Sequence, residues 1–155
     1  MSFYFEKTNP KANRTMFPKV ILQDLRIFPV AKTTEEQQQS LAQKAEQMIE
    51  LNKQLHAGID SGLELINSEY QPKKISKNLE KFYTLGIHPF LEELEKQKVK
   101  LSLIQEEELI TWYKEKSDKL NKLQTEINNL DKFIDQEVYK LYGLTDDEIK
   151  IVENS

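Results

Sequence analysis

Two long stretches of this chain repeat apolar residues in alternating steps of four and three. The first carries Leu41, Ala45, Met48, Asn52, Leu55, Ile59, Gly62 and Ile66, and the second Leu109, Tyr113, Lys116, Leu120, Leu123, Ile127, Leu130, Ile134 and Leu141. An average spacing of about 3.5 residues keeps one seam turned toward a partner helix, so both stretches predict helices of coiled-coil type. The first is expected over 34–68, about 50 Å at a rise of about 1.5 Å per residue, and the second over about 102–142. The central seam is assigned to Met48, Asn52, Leu55 and Ile59 on one helix and to Leu120, Leu123, Ile127, Leu130 and Ile134 on the other. Asn52 is either a polar residue that fixes register or a solvated edge position. Lys116 and Glu137 interrupt the second series, with Val138 beside the latter.

The residues between these runs act as punctuation. Thr34, followed by Glu35, Glu36 and Gln37, offers an N-cap and negative charge to a helix start. Pro72 interrupts the pattern, after which 75–83 and 88–98 read as two shorter amphipathic helices separated by Gly86 and packed across one end of the rods. Gly143 is expected as a left-handed cap, and Thr145, with Asp146, Asp147 and Glu148, opens a short final helix. Before Thr34 the texture differs: 2–7 alternate around Phe3 and Phe5, 20–22 are β-branched and apolar, and Pro10, Pro18 and Pro29 break any helix.

A lone amphipathic helix cannot bury its stripe, so two rods joined by a connector of about 33 residues must fold back on each other or pair with another chain. The expectation is a mainly α protein: an antiparallel two-helix coiled-coil hairpin with short connecting helices and a small N-terminal extended or β remnant. A homodimer through the helices is the alternative. The division follows as 1–33, the end of a β-rich unit, and 34–155, the helical domain.

Composition narrows the class. The chain has 155 residues, 38% hydrophobic and 31% charged, with 4 Gly and 5 Pro, too apolar for disorder and too polar for a membrane protein. With no cysteine, thiol chemistry and disulfides are excluded. The N-terminus lacks the apolar core of a signal peptide, which places the protein in the cytoplasm. The net charge of -4 is uneven. Residues 1–33 hold Lys7, Lys11, Arg14, Lys19, Arg26 and Lys32 against Glu6 and Asp24, a net +4 that leaves -8 on the remainder. Such a segment attracts polyanions, although six scattered cations on a surface more often serve solubility than binding.

Catalytic patterns are not found. The glycines (Gly58, Gly62, Gly86, Gly143) are too dispersed for a phosphate loop, and His56 and His88 have no partner at metal-ligand spacing. Glu106, Glu107 and Glu108 fall on different helical faces and read as solvated charge at a helix start. Phe3, Tyr4, Phe5, Phe17 and Phe28 lie in the basic segment, where core packing is favoured over stacking on bases. No metal or cofactor is expected.

The stretch FPKVILQDLRIFPVAKTTEEQQQSLAQKAEQMIELNKQL resembles the point where a target-recognition domain hands over to a long helix in bacterial restriction-modification specificity proteins. ISKNLEKFYTLGIHPFLEELEKQKVKLSL and DKFIDQEVYKLYGLTDDEIKIVE resemble the C-terminal end of the TaqI-like specificity domain of type IIG enzymes and adenine-specific DNA methyltransferases, related to type I specificity subunits. VYKLYGLTDDEIKIVE is the most specific piece. The resemblance implies DNA recognition, with long helices serving as spacer and docking platform for a methyltransferase or a second specificity polypeptide. The chain lacks the NPPY-type methylation motif, the cofactor-binding FxGxG loop and a nuclease constellation, so the resemblance implies a non-catalytic module. Lys11, Arg14, Lys19 and Arg26 are its candidate phosphate contacts, each adding sequence-independent, salt-sensitive affinity.

Overall fold

The computed structural model describes residues 30–154. The expected N-terminal β remnant and the candidate phosphate contacts Lys11, Arg14, Lys19 and Arg26 lie outside them. The described elements are all helical: α1 (Glu35–Tyr70), α2 (Lys77–Glu80), a 3-10 turn (Phe82–Thr84), α3 (Ile87–Lys96), α4 (Leu103–Tyr142) and α5 (Asp146–Glu153).

Local hydrogen bonding sets where these helices begin. At α1 the Thr34 N–H donates to Gln37 Oε1 (2.9 Å) while the Gln37 N–H donates to Thr34 Oγ1 (3.3 Å). Ser102 and Gln105 repeat the reciprocal pair at α4, and Thr145 and Glu148 at α5. Each box satisfies two backbone donors that a helix start leaves orphaned. Behind the α5 box, α4 ends on Gly143 at φ +62, where the Gly143 N–H reaches the Lys140 carbonyl and the Leu144 N–H the Tyr139 carbonyl. That Schellman pattern needs a left-handed residue, which glycine adopts without a Cβ penalty.

The chain divides into two compact units. One is Gln39–Ile134; among the described residues the other takes in 30–38 and 135–154. Within Gln39–Ile134 the two long helices pack together as an antiparallel hairpin. Lys44 Nζ stands over the Phe133 ring (5.5 Å), and the Lys116 ammonium donates to Ser61 Oγ (2.7 Å), so the partner moves back along α4 as α1 advances. The paired lengths come to about 48 Å at a rise of about 1.5 Å per residue.

Burial runs along this seam. Leu51, Leu55, Ile66, Leu109, Tyr113, Leu120, Ile127 and Leu130 form the core with residues of the connector, while Met48, Ile59, Leu123 and Ile134 pack partly buried against it. Asn52 is half-buried and its amide donates to the Met48 carbonyl of its own helix (2.9 Å). Leu51, one position earlier, takes the enclosed place. Near Lys116 it is Ser117 that is buried. The lysine is half-exposed, its burial and the neighbouring Lys119 charge lowering its pKa.

Candidate functional site

The most elaborated part of Gln39–Ile134 is the connector 71–102, which closes one end of the hairpin as a head. Its centre is Phe82, fully enclosed, whose ring enters the gap that Gly62 leaves on α1. A Cβ at position 62 would stand 2.5 Å from Phe82 Cζ, so the glycine is a socket for the ring. Phe82 stacks on Trp112 (centroids 5.8 Å apart) and meets Tyr83 edge-on, and Phe90 stacks on Tyr113 at 4.5 Å. Offset and edge-on ring pairs of this kind add about 0.5–1.5 kcal/mol beyond their burial.

Hydrogen bonds lock the aromatic layer to α4. The Tyr113 hydroxyl donates to the carbonyls of Phe82 and Leu85, and the Asn121 amide donates to the Tyr83 carbonyl (3.0 Å). These bonds satisfy the Tyr83 and Leu85 carbonyls, which would otherwise go unpaired, and add to the Leu85 N–H already on the Phe82 carbonyl. Burial pushes the Tyr113 phenol above the ordinary tyrosine value.

A second, polar centre sits on α3. Glu93 is 6% exposed, yet its carboxylate accepts from Ser76 Oγ (2.6 Å), Asn78 Nδ2 (3.2 Å) and Gln97 Nε2 (3.4 Å), with Lys96 Nζ at 3.7 Å. Those bonds, Ser76 first and then Asn78, hold its pKa below the ordinary carboxylate value. Ser76 also caps α2, accepting from the Leu79 N–H, so Glu93 joins the start of α2 to the body of α3. Every lone pair it presents inward is used in holding two helices, which makes its role architectural.

The backbone beside it is strained at two places. α3 ends with the Lys98 N–H on the Glu95 carbonyl and the Val99 N–H on the Leu94 carbonyl, the same pattern as at Gly143 but with lysine at φ +70 in the left-handed position. Gln71, just past α1, also has positive φ (46). The Lys73 N–H then donates to the Gln97 carbonyl (3.0 Å), pinning the exit of α1 to the end of α3.

An open groove of about 740 Å³ lies beside α3, lined by His88, Leu91, Leu94, Val99 and Leu101 with Glu106 of α4 and by the charged Glu92, Glu95, Lys98 and Lys100. Leu103 and Ile104, on the first turn of α4, are 82% and 71% exposed. His56 is exposed on α1, and Glu107 and Glu108 are exposed beside half-buried Glu106. Among the described residues no three His, Asp or Glu side chains are grouped to hold a metal ion, and no helix is long and apolar enough to cross a membrane.

The family comparison covers this whole hairpin. Residues 34–138 match the family described as a domain of unknown function, DUF8810. The chain belongs to the DUF8810 family. The DUF8810 stretch starts at the N-cap Thr34 and ends within α4, so it contains both stems and the head. No curated protein and no solved structure matches the chain.

The head also carries a net positive charge that the pattern of apolar positions does not announce. Lys73, Lys74, Lys77, Lys81, Lys96, Lys98 and Lys100 stand against Glu80, Glu92, Glu93 and Glu95 in 71–102, a net +3 within a DUF8810 region that is otherwise acidic. A single division of charge at Thr34 merges this segment with the acidic stems and hides it. The net charge of the connector alone is the signal that exposes it.

Proposed function

We propose that this chain is a non-catalytic helical spacer and assembly module of a restriction-modification DNA specificity system in the cytoplasm, supporting target recognition by an adenine methyltransferase or restriction enzyme. Its resemblance to the C-terminal end of TaqI-like specificity domains motivates the reading. The observation that supports it best is the pair of antiparallel stems, tied together by a core along their length. Two stiff helices paired over about 48 Å hold whatever is attached at their ends at a fixed separation, and the DNA repeat makes such distances matter at about 34 Å per turn. The DNA contacts proposed for Lys11, Arg14, Lys19 and Arg26 belong to the N-terminal side of this spacer.

The test is duplex binding by the full chain at low and moderate salt, with and without a co-expressed adenine methyltransferase subunit from the same genome. Weak binding alone that turns sequence-specific with the subunit is the expected result. No DNA association and no capture of the subunit under any condition would sink the proposal.

A second reading is a coiled-coil adaptor that acts without DNA. The exposed Leu103 and Ile104 beside the Leu91–Leu101 side of the groove favour it, because adjoining apolar side chains of this exposure suit a protein partner. Under that reading, charge reversal of Lys11, Arg14, Lys19 and Arg26 leaves partner capture intact.

A further inference from the structure

We propose that the lysine face of the head docks on the phosphate backbone of duplex nucleic acid, a contact surface distinct from the N-terminal cations; it rests on the DNA-directed reading above. Two segments separated in sequence build the face. Lys73 is itself the donor to the Gln97 carbonyl, Lys74 follows it, and Lys96 and Lys98 flank the acceptor, so this one backbone bond gathers four lysines from the exit of α1 and the end of α3. Lys77 lies between Ser76 and Asn78, whose side chains both reach Glu93 one turn before Gln97, which brings the start of α2 to the same place. All five lysines are exposed.

The arrangement withdraws one of the head's four acids from this face; Glu80, Glu92 and Glu95 stay exposed, and the seven lysines outnumber them. Glu93 is the acid withdrawn, and it is turned inward and bonded by Ser76, Asn78 and Gln97. Among the described residues the ion pairs are Lys96–Glu93, Lys140–Glu137 and Lys150–Asp147, which leaves Lys73, Lys74, Lys77 and Lys98 without a carboxylate at pairing distance. Lys98 is moreover kept in a left-handed backbone position that glycine or asparagine would occupy with less strain. Several unpaired ammonium groups on one rigid surface match the repeated point charges of a phosphate backbone and carry no base readout. An anionic membrane is the less fitting occupant. No large hydrophobic side chain of 71–102 is strongly exposed, and the exposed Leu103 and Ile104 that follow are two residues on one turn, whereas surface-bound helices bury a whole apolar face among the lipids.

The experiment compares two variants of the full chain that lose the same charge. The head variant combines Lys73→Gln, Lys74→Gln, Lys77→Gln and Lys98→Asn; the stem variant combines Lys53→Gln, Lys114→Gln, Lys122→Gln and Lys132→Gln. Fluorescence anisotropy with a duplex of about 20 base pairs of arbitrary sequence is followed from about 50 to 200 mM salt. The head variant is expected to bind at least about tenfold more weakly at low salt, with the slope of log affinity against log salt shallower by about 0.9 for each phosphate that is no longer neutralised. The stem variant should stay within about twofold of the parent, with circular dichroism showing both folded. Equal losses in the two variants, or no duplex binding by the parent at low salt, would overturn the inference. So would binding to phosphatidylserine vesicles that the head variant alone loses while the duplex is ignored. Capture of the methyltransferase subunit is measured on the same proteins: capture with no difference between the variants on DNA defeats the head surface and leaves the spacer reading standing. Head-dependent duplex binding without capture does the reverse.

Discussion

Gly62→Ala sets two effects of comparable size against each other. Alanine in a helix interior is favoured over glycine by about 0.8–1.0 kcal/mol, and position 62 is well inside α1. Against this, the new Cβ would stand 2.5 Å from Phe82 Cζ and 2.9 Å from Cε1, and Phe82 is fully enclosed between Trp112, Tyr83 and Phe90. A ring held on three sides cannot rotate away, so the upper part of the overpacking range, about 2–3 kcal/mol, applies and the variant is expected to lose about 1–2 kcal/mol net. Gly58→Ala is the internal control. Its Cβ would meet Leu120 Cδ2 at 2.6 Å, the end of a branched but rotatable side chain, whose displacement costs about 0.5–1.5 kcal/mol and roughly cancels the gain in propensity. Urea unfolding of the full chain, followed by circular dichroism and by the fluorescence of Trp112, the chain's one tryptophan, measures both. A difference of at least about 1 kcal/mol between the variants is expected. In a Phe82→Leu background the penalty at position 62 should shrink by a similar amount. Equal stability of the two alanine variants, or a penalty unchanged by Phe82→Leu, would refute the socket argument.

Three further outcomes follow from the head and the caps. Tyr113→Phe leaves the Leu85 carbonyl without its donor, the Phe82 carbonyl keeping the Leu85 N–H, and should cost about 1–3 kcal/mol in urea unfolding. Because burial raises the Tyr113 pKa, the folded state favours the protonated phenol. That contribution is complete below about pH 10 and is lost as pH rises through the folded value, so the phenylalanine variant should lose stability less steeply in alkali. For Glu93 the sign is opposite. Its folded pKa is lowered, so its contribution is present above the ordinary carboxylate value and fades as pH falls through the folded one; Glu93→Gln should lower the Tm at neutral pH and flatten the acid limb of the Tm profile. Thr145→Ala, which breaks the capping box at α5, should reduce the stability of that helix by about 1 kcal/mol, read as faster amide exchange over Asp146–Glu153 and unchanged exchange in α3.

Much of the fold was legible in the residues because its signals are local. The caps at Thr34 and Thr145 each pair residues three apart, and the Gly143 cap involves carbonyls within one turn, so composition at fixed offsets is enough to place them. The four-three repeat likewise predicted two paired helices, and Pro72 with a long connector predicted their antiparallel return. Tertiary structure decided what those rules cannot reach. The four-three repeat placed Asn52 in the seam or at its edge, but Leu51 takes the enclosed place while Asn52, half-buried, bonds its own backbone. Gly62 read as one more seam position; only the return of Phe82, twenty residues later, shows it to be a socket. Nothing in the sequence singles out Glu93; Ser76 and Asn78 come to it from seventeen and fifteen residues away. The lysine face depends on a backbone bond from Lys73 to Gln97 across the whole head. Periodicity specifies which face of a helix is apolar, whereas the neighbour that fills a gap or removes a competing charge is set by chain return, which no window of sequence contains.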